Sequence, residues 1–138
     1  MATGKTNARY ITVTYNSQNI SLDVTDITLP INFDRQDVTG YSDGVHNVTL
    51  GHPDQPVSIT GIFSNTASTG FHTVMSAQVG VQTGVTLTVA IGILAAPAGG
   101  DPEYEGTFLV SDYVVNGDLT ATAELIPSTT TAPSWGTV

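Results

Sequence analysis

The chain contains no cysteine, so neither a disulfide framework nor a thiolate metal site can staple it. Basic residues are almost as scarce. Lys5, Arg9 and Arg35 stand against twelve Asp and Glu, for a net charge of −9. Gripping a nucleic acid requires Lys and Arg to neutralise phosphates and release counterions, so this composition argues against tight DNA or RNA binding. Charge of either sign is thin, at 11% of residues, less than half the usual share of about 25%. Thr, Ser, Asn and Gly fill the gap. A surface poor in charge suits a protein that is covered by neighbours, because charge is depleted at interface centres; the net negative balance supports solubility. Long hydrophobic runs are missing too. The longest, Val85 to Ala98, is interrupted by Thr86, Thr88, Gly92 and Pro97 and falls short of the roughly 20 residues that span a bilayer. The opening MATGKTNAR lacks the apolar stretch of a signal peptide. No membrane association is expected, and 138 residues suggest a single domain with one real core.

What the sequence has in abundance is period-two alternation of β-branched and aromatic residues, the mark of half-buried strands. Ile11, Val13 and Tyr15 share one face of a first strand. Asn16 to Asn19 reads as a turn, and Ile20, Leu22 and Val24 as a short second strand. Ile27, Leu29, Ile31 and Phe33 keep one parity across Pro30, whose missing amide places that segment at an edge or bulge. Asp34 to Pro56 reads as a long hairpin or loop with little core of its own, which in a small domain is usually functional or mobile. Val57 and Ile59 open the next strand. Phe71, Val74, Met75 and Val79 then fall at helical spacing, with Ser68 or Thr69 as cap and Gly80 as stop. Val85 to Ala90 and Tyr104 to Val115 alternate again, Asn116-Gly117 signals a hairpin, and Leu119 to Leu125 carries the return. The tail, 127–138, is rich in Thr and Pro and holds the lone Trp135. The expected architecture is mainly β: a β-sandwich or flattened barrel of about seven strands with one short α-helix.

Chemistry has little to rest on. His46, His52 and His72 are the only histidines. A metal site from His46, His52 and Asp54 can be drawn, but their spacing does not demand one, and His52-Pro53-Asp54 reads as turn chemistry. Glu103 and Glu105 share strand parity, so they place like charges on one face, which shifts a pKa where they are buried. Asp23 with Asp26 and Asp34 with Asp37 match no calcium-loop pattern. Neither a Gly-x-Ser-x-Gly nucleophile elbow nor a glycine-rich phosphate loop is present. No catalytic residue, cofactor or metal is expected, and no enzyme activity. Trp135 either plugs the chain's own core or anchors the tail on a neighbouring subunit.

Four stretches together resemble the tail tube (major tail) proteins of long-tailed phages. They are ITVTYNSQNISLDVTDI; the extended loop DVTGYSDGVHNVTLG; the strand–helix–strand order from Ile59 to Val89; and the close PEYEGTFLVSDYVVNGDLTATAELIPSTTTAPSW. The resemblance is one of pattern and spans nearly the whole chain. It implies a structural virion protein, made in the host cytoplasm, that assembles into hexameric rings stacked into a tube. It also implies a lumen through which DNA passes as repelled cargo, and contacts with tape-measure and terminator proteins. Glu103, Glu105, Asp112, Asp23 and Asp26 are then the candidate lumen acids. Asp34, Arg35, Asp37, Tyr41, His46 and Trp135 are the candidate inter-subunit contacts. A head decoration, neck or tail-terminator protein fits the same features, since these are also small, β-rich and self-assembling. A carbohydrate- or cell-binding β-sandwich using Trp135 and the tyrosines is a more distant alternative.

Overall fold

The computed structural model describes residues 8–93, 95–128 and 132–138; Lys5, Leu94 and the middle of the Thr-rich tail lie outside the described residues. The strands run β1 (Ile11–Tyr15), β2 (Gln18–Asn19), β3 (Val24–Thr28), β4 (Asn32–Asp37), β5 (Val48–Asp54) and β6 (Val57–Ile62). The helix α1 (Phe71–Gln78) follows, then β7 (Val85–Ile91), β8 (Pro102–Val115), β9 (Thr120–Pro127) and β10 (Ser134–Thr137). Eight strands form one antiparallel sheet in the order β2-β1-β7-β8-β9-β6-β3, with β10 paired to β8; β4 and β5 form a separate two-stranded sheet.

The long strand β8 organises this sheet. Its first half, Glu103 to Phe108, pairs with β7, and its second half, Phe108 to Val115, pairs with β9. The sheet thereby doubles over into two layers. One holds β2, β1, β7, the start of β8, and β10; the other holds the end of β8, β9, β6 and β3. Inward residues of both layers meet in a single core that includes Val13, Leu87, Tyr104 and Phe108 from one side and Ile59 and Leu125 from the other. The fold is mainly β with one short helix, a β-sandwich or flattened barrel. Tyr15 ties the layers at the bend: its hydroxyl donates to the Phe108 carbonyl at 3.1 Å, and burial pushes its pKa up to about 12.

The helix packs Phe71, Val74 and Met75 into the core, as the spacing of its apolar residues requires. Neither Ser68 nor Thr69 caps it. The cap position is Gly70, where a Cβ would sit 2.5 Å from the Ser64 carbonyl oxygen, so only glycine fits. The first helical amide, Phe71 N–H, donates instead to the Asp23 carboxylate at 3.1 Å. A carboxylate from the chain before β3 thus does the work expected of a local hydroxyl, and its charge suits a helix N-terminus. Gly80, at φ +78, turns the chain out of the helix.

Two segments depart from the alternation pattern. Ile20, Leu22 and Val24 do not form one strand: Ile20 is buried, whereas Leu22 is 99% exposed. The Asn19 side chain accepts from both the amide and the hydroxyl of Ser21, and Asp23 N–H bonds back to Ile20. Side-chain-to-backbone bonds of this kind compete with a sheet ladder, and here they win. The segment across Pro30 also divides. β3 stops at Thr28 and β4 begins at Asn32, so Phe33 leaves the body and belongs to the projecting β4–β5 arm. With these extra elements and the short β2 and β10, the strands exceed the seven expected.

Candidate functional site

Three surfaces have the residues that the sequence singled out. The first is the outward face of the layer formed by β2, β1, β7, β8 and β10. Register places Asn19, Thr14, Thr88, Glu105 and Ser134 in one row across five strands, and Thr12, Ala90, Glu103 and Gly136 in a neighbouring row. Hydroxyls and small side chains make up this face, with Glu103 and Glu105 as its charges. Between β8 and β10 it dips into an open trough of about 320 Å³, lined by Glu103, Glu105, Thr107, Ser134 and Thr137 among others. Desolvation, a hydrogen bond shared with Glu105, and repulsion from Glu105 all push the Glu103 carboxyl above its ordinary pKa. The expected sharing of a face by these two acids is what the structure has.

The second surface is the outward face of the other layer, and it collects a different set. Asp112 lies directly opposite Glu124 on β9, a like-charge cross-strand pair that costs stability. Asp26 sits opposite Thr60 on the β3–β6 ladder. This face also exposes Ile62, Val114 and Ile126, so it is greasier than the first. The sequence reading missed Glu124, although the alternation of Ala121, Ala123 and Leu125 inward already pointed it outward. The five candidate lumen acids are therefore not brought together. Glu103 and Glu105 share one layer, Asp26 and Asp112 lie on the other, and Asp23 is spent on the helix cap.

The third surface is the arm. All six residues of β4 are exposed, and β4 pairs with β5 from Asn32↔Asp54 to Asp37↔Val48, with a bulge between Phe33 and Arg35. Register sets Phe33 opposite Pro53, Arg35 opposite Leu50, and Asp37 opposite Val48. One side of the arm thus carries Phe33, Val48 and Leu50 with Arg35 and Asp37 among them, while Asp34 falls on the other side. At the tip, Thr39 donates both its amide and its hydroxyl to Asp37, and these bonds hold the Asp37 carboxyl below its ordinary pKa. His46 Nδ1 lies 3.8 Å from Asp37 Oδ2. Tyr41 is fully exposed. Asp34, Arg35, Asp37, Tyr41 and His46 all belong to this one arm.

Trp135 lies elsewhere. It pairs with Tyr104 across β10 and β8, edge-on at 5.4 Å between ring centroids, yet remains 41% exposed. The tail folds back on its own chain, and one side of the indole is left uncovered. The third histidine, His72, is held by aromatic contacts, with Phe63 at 4.6 Å and a 2.9 Å hydrogen bond to Tyr113. Among the described residues, no group of three or more His, Asp or Glu is placed to hold a metal ion, and no helix is long and apolar enough to cross a membrane.

No family model matches the sequence, and no curated protein matches it either. Solved structures do match the fold. A chain of the PVC sheath–tube complex of an extracellular contractile injection system, in the extended state, superposes with a TM-score of 0.66 at 12% identity. The match covers 97% of this chain and 93% of that one. A chain of the PVC sheath/tube terminator structure, also in the extended state, gives a TM-score of 0.63 at 10% identity, covering 96% of both chains. The likeness runs over nearly the whole of both chains in each case, and what this chain shares with those chains is its fold.

Proposed function

We propose that this protein is a structural, non-catalytic subunit of a phage tail or a related injection particle, one that assembles with copies of itself into hexameric rings stacked into a tube. The observation that carries this reading is the arm. An isolated two-stranded hairpin is marginal in water, and this one leaves Phe33, Val48 and Leu50 open to solvent. Such an element makes sense when a neighbour covers it. The end-to-end fold likeness to chains of an injection-system sheath–tube complex supports the same reading.

The two outward faces then divide the work. The face with Glu103 and Glu105 is hydroxylated and acidic, and suits a lumen whose wall repels a polyanion rather than holding it. The face with Ile62, Val114 and Ile126 suits contact with other subunits. Tape-measure and terminator proteins would meet the tube within the particle. A second reading, a terminator that caps the tube, is favoured by the nearly equal likeness to the terminator structure.

Electron microscopy of concentrated, purified protein tests this. Sixfold tubes of variable length support the tube subunit, and single rings that never stack support the terminator. A field of compact monomers overturns both.

A further inference from the structure

The exposed arm needs a receiving surface, and the body offers one. Where the doubled sheet fails to close, between β1 and β3, there is a groove of about 140 Å³ lined by Ile11, Val13, Val24 and Ile27 together with Ser21, Thr25 and Asp26. A cavity of about that size takes up a benzene ring, so the groove can accept the phenyl group of Phe33 or the isobutyl group of Leu50.

Charge matches as well as shape. The apolar side of the arm carries Arg35, set opposite Leu50 beside Phe33, in a chain with only three Lys and Arg. Asp37 lies on the same side but further out, opposite Val48 and 3.8 Å from His46, and the groove carries the exposed carboxylate of Asp26. Two short links join the arm to the body. The outgoing link contains Pro30 and the returning link contains Pro56, each with φ fixed by its ring. Between β5 and Pro56, Gln55 is buried and donates its side-chain amide to the Pro133 carbonyl at 3.1 Å. In this structure the arm leaves its own groove open: Phe33, Val48 and Leu50 stay exposed, and none of them lines it.

We infer that the arm of one copy docks its Phe33–Leu50 side into the β1–β3 groove of a second copy, with Arg35 meeting Asp26. This inference rests on the self-assembly proposed above and names the surface that receives the arm. Every copy then has one donor arm and one acceptor groove, a head-to-tail contact that propagates into a ring or a helical stack.

Reciprocal charge reversal tests it. Arg35→Asp and Asp26→Arg both change exposed residues, so each variant should fold with an unchanged circular dichroism spectrum. Each alone places like charges at every contact, and assembly measured by light scattering should be lost. An equimolar mixture restores an opposite-charge pair at every alternating contact, and assembly should return in the mixture although neither variant assembles alone. If wild-type protein assembles and either reversal assembles equally well, or the mixture gives no rescue, the groove is not the acceptor while self-assembly stands. If wild-type protein stays monomeric at high concentration, self-assembly fails and this docking fails with it.

Discussion

The attachment of the tail to its own chain can be broken with one methyl group. At Gly106, on β8, a Cβ would lie 2.7 Å from Pro133 Cβ, 2.8 Å from Pro133 Cγ and 2.9 Å from Phe108 Cε2. A proline ring and a core phenylalanine are not free ends that swing aside. In Gly106→Ala the chain leading into β10 must therefore lift, taking with it the Gln55–Pro133 hydrogen bond and the edge-on packing of Trp135 against Tyr104. Overpacking of this kind costs about 1–3 kcal/mol, and removing a strand glycine returns roughly 0.5–1, so a net loss of up to about 2.5 kcal/mol, centred on about 1, lowers Tm by about 4 °C at the centre of that range. Trp135 is the only tryptophan, so its fluorescence reports on β10 without interference. In dilute protein the emission should shift to longer wavelength in Gly106→Ala. An unchanged emission maximum together with an unchanged Tm would refute the argument that β10 is seated on its own β8.

Other expectations follow from single contacts. Removing the Tyr15 hydroxyl in Tyr15→Phe leaves the buried Phe108 carbonyl without that donor, and denaturant unfolding should show a loss of about 1–2 kcal/mol. Because the folded pKa of Tyr15 stands at about 12 against an ordinary 10.0, its contribution is complete below pH 10 and is lost as pH rises toward 12; Tyr15→Phe should flatten that alkaline decline. Leu119 holds a left-handed backbone, φ 64, in the β8–β9 turn, where Leu pays roughly 1–2 kcal/mol and Gly gives back about 0.5–1 in unfolded-state entropy; Leu119→Gly should match or exceed wild-type Tm, and a clear loss would contradict the turn geometry. Deleting residues 39–51 should leave a folded body, seen by retained Tyr and Trp near-ultraviolet dichroism, that no longer elongates; tubes of normal length would remove the arm from the assembly. Replacing Glu103 and Glu105 with Lys should leave tubes intact but retard DNA passage in a salt-dependent way, and unchanged passage would reduce these acids to a solubility role.

The parts of the fold that were legible in the sequence are those where one face meets the core and the other meets water. In β1, β7, β8 and β9 that contrast writes a clean period of two, and in α1 Phe71, Val74 and Met75 write the helical one. The β4–β5 arm was legible only as a long hairpin or loop, without strand bounds, because it has no core to alternate against; its Phe33, Val48 and Leu50 face open solvent. Near β3 the alternation misled, since Asn19, Ser21 and Asp23 impose a turn that the apolar pattern alone does not reveal. Of the candidate site, the pairing of Glu103 with Glu105 on one face followed from parity alone. Their separation from Asp112 did not. It depends on β8 passing from one layer to the other at Phe108 and on a bulge between Val110 and Asp112, both properties of register rather than of composition. Asp23 was misplaced for a related reason, because its partner, the Phe71 amide, is 48 residues away in sequence.

Sedimentation velocity across a concentration series tests most directly whether this chain is built to assemble. The account predicts species far heavier than the 14.4 kDa chain, growing with concentration and abolished by loss of the arm. A single boundary at the monomer mass, unchanged up to the highest soluble concentration, would contradict it.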